Sequence, residues 1–236
     1  MISVVLFDLD DTLFAHRHAV AAGVLAHRLS HGLVGDDLEE LARWNELEEH
    51  HYHRYLTGEL DFLEQRRERS RGFVLPHGIT LTDVEADEWF ERYLVEYTRA
   101  WRLHDDALEC LAELDARGIR TGIITNGDLG FQSAKLEGVG LAGRFEHVIA
   151  SGEVGVAKPD ARIFHHAAEV FGVDPDHTLY VGDRLHTDAV GAAAAGLTGV
   201  WLAREQPSDE QLGGARDAGA HVIRTLDELV PRFLPA

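Results

Sequence analysis

The chain opens with an uninterrupted apolar run, Val4–Phe7, which is followed by two acids placed two residues apart, Asp8 and Asp10. A short apolar run without polar interruption is typical of a strand that is buried on both faces in a parallel sheet. Side chains two residues apart on an extended chain point to the same side, so both carboxylates can address one ligand. Two carboxylates held this close repel each other. The pattern therefore predicts a bound divalent cation, or one protonated acid, at the carboxyl end of a central strand.

Further apolar runs of strand length follow, and helical patterns separate them. The predicted strands after the first are 121–124, 147–150, 178–181, 199–202 and 221–223, and the predicted helices between and after them are 106–116, 129–137, 160–171, 187–195 and 226–233. Strands that alternate with helices indicate a parallel sheet with right-handed crossovers. We therefore predict an α/β fold with a doubly wound, Rossmann-like parallel sheet.

More than a hundred residues separate the first two predicted strands, far more than one crossover helix needs. Residues 15–101 have a helical pattern, and the predicted helices are 18–30, 37–56, 59–72 and 82–101. We predict a catalytic core made of residues 1–14 and 102–236, with residues 15–101 inserted as a helical cap. Because the insert leaves the chain just after Asp8 and Asp10, we expect it to act as a lid or specificity module.

Two groups of side chains in the insert have simple structural interpretations. The aromatic side chains predicted to be packing residues are Trp44, Trp89, Tyr93 and Trp101. The basic cluster formed by Arg66, Arg67, Arg69 and Arg71 is predicted to be a solvated helix face paired with Glu64 and Glu68.

The charge balance limits the partners. The chain has 22 Lys and Arg against 41 Asp and Glu, a formal net charge of -19, and such a field repels nucleic acids and anionic lipid surfaces. A small anion can still bind where a metal and local cations outweigh the field. The single cysteine excludes an internal disulfide, and no apolar stretch reaches membrane-spanning length. We expect a soluble cytoplasmic protein, monomeric or homodimeric, that binds neither nucleic acid nor membranes.

Three later segments should reach the same edge of the sheet as the first two acids. Thr125 and Asn126 follow the second strand, where a hydroxyl and an amide suit phosphate oxygens, although Asn-Gly also favours ordinary turns. Lys158 precedes a helix and could neutralise a phosphate or a carboxylate, although base rates alone favour a surface lysine. Asp183 ends the fourth strand and Asp188 begins the next helix, where acids can ligate a hard cation or cap the helix.

Together these segments resemble the haloacid dehalogenase superfamily, whose motifs they match in order along nearly the whole chain. The first motif, Asp-x-Asp-x-Thr, matches Asp8 to Thr12; the second and third match Thr125 and Lys158; the fourth, Gly-Asp-x4-Asp, matches Gly182 to Asp188. The inserted helices are similar to the helical cap that this superfamily carries between its first two motifs.

The resemblance implies phosphoryl transfer in two steps. Asp8 would attack phosphorus and form an aspartyl phosphate. Asp10 would protonate the leaving alkoxide and then take a proton from the water that hydrolyses the intermediate.

The resemblance also implies ligands for substrate and metal. Thr125, Asn126 and Lys158 would bind the phosphate, and Thr125 and Lys158 would also belong to the catalytic group. Mg²⁺ would be bound by the Asp8 carboxylate, the Asp10 backbone carbonyl and Asp183. Asp188 would support these ligands without binding the ion directly.

The predicted activity is a magnesium-dependent hydrolysis of small phosphomonoester metabolites. A sugar phosphomutase shares these motifs and is the nearest alternative; a phospho-accepting signalling protein and a fold that only binds ligand are others. The resemblance disfavours a dehalogenase, because those relatives lack the second acid, here Asp10. It also disfavours a phosphonate hydrolase, which would need a lysine that residues 15–101 do not contain.

Overall fold

The computed structural model describes residues 1–235 and divides the chain into two compact units. One unit combines Met1–Ala15 with the chain from Arg102 onward, and the other is His16–Trp101. Within the first unit, the chain leaves and returns at neighbouring positions: Phe14 bridges to Leu103, and the Ala15 N–H donates to the Arg102 carbonyl at 3.0 Å. The two connections to the inserted residues therefore leave the first unit side by side.

The inserted unit is helical. Its helices are α1 (His16–Ser30), α2 (Asp37–Leu56), α3 (Phe62–Val74) and α4 (Asp83–Arg99), with a 3₁₀ turn at Leu75–His77. All four predicted helices are present, but α3 begins at Phe62 instead of residue 59. The cause is a capping box, in which Asp61 accepts from the Glu64 N–H and the Glu64 side chain accepts from the Asp61 N–H.

Aromatic rings form the centre of this helical unit. Trp44 is fully buried and lies 4.4 Å from Tyr93 between ring centroids, and Trp89 and Phe73 pack around the same ring. The prediction of packing residues is confirmed for Trp44, Trp89 and Tyr93, whereas Trp101 is only half-buried and lies edge-on to Tyr97 at 5.7 Å. These rings bury large apolar areas, and this burial stabilises the unit.

The predicted solvated face of α3, paired with Glu64 and Glu68, is only partly present. Arg69 is 5% exposed and contacts Glu48 of α2 at 2.6 Å. Arg71 contacts Glu68 at 2.8 Å, whereas Glu64 closes the capping box. Arg67 binds Asp87 of α4 with two hydrogen bonds of 2.8 and 2.7 Å. Ion pairs therefore link α3 to its neighbour.

His27 of α1 is a buried titratable group in this unit. It is 1% exposed and packs edge-on against Trp89 at 4.3 Å, and its Nε2 atom has no hydrogen-bond partner within residues 1–235. Burial, with smaller contributions from His31 and Arg92, lowers the pKa of His27 to about 3. The folded protein therefore holds this imidazole neutral.

We expect this group to make stability depend on pH. Because the folded pKa of His27 lies below the ordinary value of 6.5, the unfolded chain binds the proton first as pH falls. Stability from this group is complete above pH 6.5 and is lost progressively toward pH 3. Between pH 7 and 5 the loss amounts to about 2 kcal/mol, so His27→Phe should reduce the pH dependence of unfolding by that amount. Urea unfolding at the two pH values measures the difference.

The control is His18→Gln, at an exposed position on the same helix, which should behave as wild type. If the free energy of unfolding of His27→Phe changed with pH as much as that of wild type, the expectation would be contradicted.

The other unit contains a six-stranded sheet in which every neighbouring pair is parallel. The strands are β1 (Val4–Phe7), β2 (Arg120–Thr125), β3 (His147–Ala150), β4 (Thr178–Gly182), β5 (Thr198–Leu202) and β6 (His221–Ile223), in the order β3-β2-β1-β4-β5-β6. The predicted α/β parallel fold is confirmed. All residues of β1 are fully buried, as the apolar run predicts for a central strand.

Helices cover the sheet. They are α5 (Ala107–Ala116), α6 (Leu129–Gly138), α7 (Ser151–Val154), α8 (Ala161–Phe171), α9 (Gly191–Ala194), α10 (Asp209–Asp217) and α11 (Leu229–Phe233), with 3₁₀ turns at Pro175–His177 and Leu226–Glu228. Val4 and Leu6 of β1 share a core cluster with Ile163 and Phe164 of α8. Within residues 1–235, no helix combines the length and apolar character that a membrane crossing requires.

One predicted helix, 187–195, has an unusual form. Leu185–Val190 is a π-helical turn that continues into the short helix α9. π-Helical turns are rare and frequently occur at functional sites. This turn carries Asp188, which is 1% exposed.

Candidate active site

The carboxyl ends of β1, β2 and β4 bring the predicted site residues together. Asp8 follows β1, and its N–H donates to the carbonyl of Val181 in β4 at 2.8 Å. Thr125 is the last residue of β2, and Asp183 comes directly after β4. The strand order reverses between β1 and β4, and in open α/β sheets ligands bind at this switch point.

Lys158 is the centre of the polar contacts. It lies in the loop between α7 and α8, is 5% exposed, and its Nζ donates to Asp8 Oδ1 at 2.6 Å, Tyr180 Oη at 2.7 Å and Asp188 Oδ1 at 2.8 Å. This is a buried ammonium held between two carboxylates. The possibility of an ordinary surface lysine is excluded.

Burial and charge act in opposite directions on this group of residues. Burial raises the pKa of the Asp8 carboxyl to about 7, Lys158 opposes the rise, and Asp188 and Asp10 add to it. Burial acts to lower the pKa of Lys158, but the carboxylates of Asp188 and Asp8 outweigh it and raise the value to about 12. The ammonium is therefore retained at neutral pH, and it favours the ionised form of Asp8.

Asp188 reaches this group from the π-helical turn. Its Oδ2 accepts from the Arg184 N–H at 2.9 Å, while its Oδ1 faces Lys158. The backbone of Gly182 approaches the Asp188 carboxylate so closely that an added Cβ would lie 2.4 Å from it. The glycine before Asp183 is thus required sterically, since any side chain there would displace Asp188.

Three carboxylates could hold a cation. Oxygen atoms of Asp8, Asp183 and Asp188 lie within 4.8 Å of one another. An all-oxygen donor set suits a hard divalent cation such as Mg²⁺ better than a soft metal. A second group, Asp174, Asp176 and His177, is exposed and lies at the opposite, amino end of β4.

Asp10 has partners that the sequence did not indicate. Its carboxylate contacts Lys135 Nζ through Oδ1 at 2.7 Å and Oδ2 at 2.8 Å, and Gln132 Nε2 donates to Oδ2 at 3.2 Å. Both partners lie on α6. The helix was predicted, but the face that it turns toward Asp10 depends on tertiary packing.

The residues after β2 hold the site together. Thr125 is 1% exposed, and its Oγ1 accepts from Gln132 Nε2 at 2.6 Å. Asn126 Oδ1 accepts from the Lys158 N–H at 2.8 Å, and Asn126 Nδ2 donates to the Lys158 carbonyl at 3.1 Å. The structure thus gives the Asn126 amide a role in fixing the loop that carries Lys158.

Arg204, in the polar loop after β5, holds the segment that follows Asp10. Its guanidinium donates to the Thr12 carbonyl at 2.7 Å and to the Asp11 carbonyl at 3.3 Å, and it binds both oxygens of Asp106 at 2.9 and 3.0 Å. Asp11 itself adopts a left-handed conformation with φ of 58°. The fork of Arg204 therefore stabilises a backbone turn that a non-glycine residue adopts at some cost.

Comparison with known proteins identifies the family. Residues 2–196 match the haloacid dehalogenase-like hydrolases. The chain belongs to this family. The predicted family and the predicted enzyme class, a hydrolase, are confirmed.

Relatives of this hydrolase include proteins named as phosphatases. The chain is 33% identical over 216 residues to a glyceraldehyde 3-phosphate phosphatase of Pyrococcus abyssi, covering 86% of this chain and 82% of the relative. It is 42% identical over 114 residues to a phosphoserine phosphatase of Thermus thermophilus, a match that spans 48% of this chain and only 46% of that relative. The local similarity is thus higher to the second protein, and the coverage is higher to the first.

Solved structures of the family share the fold. The HAD-hydrolase YfnB from Bacillus subtilis, solved with bound magnesium, has a TM-score of 0.78 at 22% identity. The match covers 98% of this chain and 97% of the YfnB chain. The L-2-haloacid dehalogenase from Xanthobacter autotrophicus has a TM-score of 0.73 at 23% identity, covering 99% of this chain and all of its own. At these identities the similarity establishes the fold of the hydrolase, and any inference about its substrate must come from the site residues.

Proposed function

We propose that the protein is a magnesium-dependent phosphatase of small phosphomonoester metabolites that works through an aspartyl phosphate on Asp8. The observation that carries this proposal is the position of Asp8, at the switch point of the sheet, within 2.6 Å of the Lys158 ammonium and beside Asp183 and Asp188. A carboxylate nucleophile facing a dianionic ester needs nearby positive charge, which the Lys158 ammonium supplies and a cation held by the carboxylates would increase.

In the first step, an Asp8 carboxylate oxygen attacks phosphorus and a P–O bond forms as the bond to the leaving oxygen breaks. Asp10 donates its proton to the leaving alkoxide, which departs as an alcohol. In the second step, water attacks the same phosphorus and gives a proton to Asp10. The bond between Asp8 and phosphorus then breaks, which regenerates the Asp8 carboxylate and releases inorganic phosphate.

The oxygen donors around Asp8 fit Mg²⁺. The carboxylates of Asp8 and Asp183 and the backbone carbonyl of Asp10 would hold the ion, with Asp188 orienting Lys158 and the ligand set. When bound, the ion offsets the repulsion between nucleophile and phosphate, which is about 4 kcal/mol for two unit charges 4 Å apart at an effective dielectric of 20.

The remaining polar groups would hold the phosphate. Thr125 Oγ1 lies at the end of β2 and is oriented by Gln132, so its hydroxyl can face the transferring oxygens. Lys158 contributes positive charge, and Asn126 keeps the Lys158 loop in place. We infer that the substrate is a small phosphorylated metabolite, because a net charge of -19 opposes long polyanions. The predicted lid role of residues 15–101 stays a prediction.

The test is phosphate release from a panel of phosphomonoesters with and without Mg²⁺. Because two relatives are named for glyceraldehyde 3-phosphate and phosphoserine, these esters head the panel. We expect free phosphate to accumulate with Mg²⁺ and the reaction to stop with a chelator. A sugar phosphate isomerised without release of phosphate would contradict hydrolysis and support a phosphomutase.

A variant at Asp183 tests the metal site. Asp183→Asn removes an anionic ligand, so the Mg²⁺ concentration for half-maximal phosphate release should rise about 10- to 100-fold. The matched control is Asp176→Asn, in the exposed acidic group at the other end of β4, which should keep the wild-type Mg²⁺ dependence. Equal Mg²⁺ dependence of both variants would place the ion elsewhere.

A further inference from the structure

Lysine is almost absent from this chain. Of the 22 basic residues, two are lysines, Lys135 and Lys158, and the others are arginines. Both lysines are buried, with 2% and 5% exposure. Each contacts one of the two acids after β1: Lys158 contacts Asp8, and Lys135 contacts Asp10. The family motifs account for Lys158 alone, so the position of Lys135 needs its own explanation.

The Lys135 ammonium is held in a defined place. It extends from α6 and lies 5.3 Å from the Phe14 ring and 5.1 Å from the Phe131 ring. Its Nζ contacts both oxygens of Asp10, at 2.7 and 2.8 Å. Burial of an ammonium is costly unless a carboxylate compensates for it, so the pair fixes both side chains.

Gln132, one helical turn before Lys135, extends the same contact surface. Its Nε2 donates to Asp10 Oδ2 at 3.2 Å and to Thr125 Oγ1 at 2.6 Å. One face of α6 therefore holds the Asp10 carboxylate and the Thr125 hydroxyl in a single arrangement. Asp10 keeps 29% of its side chain exposed, so the carboxylate remains accessible from its other side.

The Lys135–Asp10 pair differs chemically from most other ion pairs of the described residues. Nearly all other ion pairs of the described residues use arginine or histidine, for example the two-pronged contact of Arg67 with Asp87. An ammonium is a compact charge with rotatable donors, whereas a planar guanidinium binds both carboxylate oxygens rigidly. Because the Lys135 ammonium contacts both oxygens of Asp10, it fixes the position of the carboxylate while leaving its outer side open.

We propose that Lys135, together with Gln132, is a positioning residue that holds the Asp10 carboxylate for proton transfer to the leaving group. This inference rests on the proposed phosphatase function. It assigns to α6 a role in the chemistry, although Lys135 itself does not touch the substrate.

The first experiment compares esters whose leaving groups need different amounts of acid assistance. For wild type and Lys135→Met, kcat/KM is measured with an alkyl phosphate and with 2,4-dinitrophenyl phosphate. This constant reports the steps up to transfer of the phosphoryl group to Asp8. Loss of a positioned acid should lower kcat/KM for the alkyl ester about 100-fold. The dinitrophenyl ester, whose leaving group needs no proton, should lose less than about fivefold.

If Lys135 had a merely structural role, Lys135→Met would lower kcat/KM for both esters by the same factor. That result would overturn the proposal. The matched control is Arg120→Met, which breaks the ion pair with Glu146 at the opposite end of β2. Arg120→Met should change kcat/KM for the two esters by the same factor. If wild type hydrolyses none of these esters, the proposed function fails and this inference fails with it; if wild type is active and the two losses are equal, this inference alone fails.

The second experiment observes the contact without activity. Protein labelled with ¹⁵N only in the lysine Nζ atoms has two side-chain ammonium signals, which Lys135→Arg assigns. We expect Asp10→Asn to shift the Lys135 signal strongly and the Lys158 signal little, and Asp8→Asn to do the reverse. A Lys135 signal that Asp10→Asn leaves unchanged would show that the two side chains are not paired, and it would overturn the proposal even if Lys135→Met folds poorly.

Discussion

Asp8→Asn should reduce the phosphatase activity at least about 10⁴-fold, because an amide cannot attack phosphorus and the covalent route is lost. The free energy of unfolding should change little, since Lys158 keeps its hydrogen bonds to Asp188 and Tyr180. The measurement is kcat/KM for an aryl phosphate, together with urea unfolding of both proteins at pH 7.

The matched control for this variant is Asp11→Asn. It makes the same chemical change three residues along the chain, and asparagine tolerates the left-handed backbone of Asp11. We expect Asp11→Asn to stay within about threefold of wild type. If Asp8→Asn retained activity comparable to that of Asp11→Asn, Asp8 would not be the nucleophile.

Lys158→Met should have the largest effect on stability, with a loss of about 3–5 kcal/mol. The substitution keeps the length of the side chain but removes the charge that compensates two buried carboxylates, Asp8 and Asp188. Activity should fall as well, because burial already raises the pKa of Asp8 to about 7 and Lys158 is the main group opposing that rise. Without it, a smaller fraction of Asp8 is ionised at pH 7.

A double-mutant cycle separates charge from packing at this position. If uncompensated carboxylates cause the loss, adding Asp188→Asn to Lys158→Met should restore at least about 1 kcal/mol relative to the single variant. Chemical denaturation of the two single variants and the double variant at pH 7 gives the coupling. Additive losses would mean that Lys158 stabilises the fold through its packed side chain and not through its charge.

The sequence predicted the sheet well because the strands carry a strong signal. Val4–Phe7 is apolar on both faces, and the predicted and observed strands agree at both ends. Helix ends were less certain, as α3 shows: the capping box at Asp61 moved the start of the helix three residues beyond the prediction. The form of the turn at Leu185–Val190 could not be predicted, because a π-helical turn has no distinctive pattern of apolar residues.

The acids after β1 and β4 could be predicted from their positions, because a strand end fixes where the next side chain lies. Lys135 and Gln132 could not, since their contacts depend on how α6 packs against the loop after β1. One signal was present in the sequence: Lys135 is one of two lysines among the 22 basic residues. Arg204 gave no such signal, because it is one of many arginines and its contacts with Asp11, Thr12 and Asp106 join distant parts of the chain.

The most direct test of the proposed chemistry is to trap the phosphorylated enzyme. Wild-type protein is quenched during turnover of a phosphomonoester with Mg²⁺ and treated with borohydride, which reduces an acyl phosphate to an alcohol. Peptide mass spectrometry should then find homoserine in place of Asp8, with Asp10 and Asp183 unchanged. An unmodified Asp8 in protein that is turning over substrate, or reduction at another carboxylate, would contradict the assignment of Asp8 as the nucleophile.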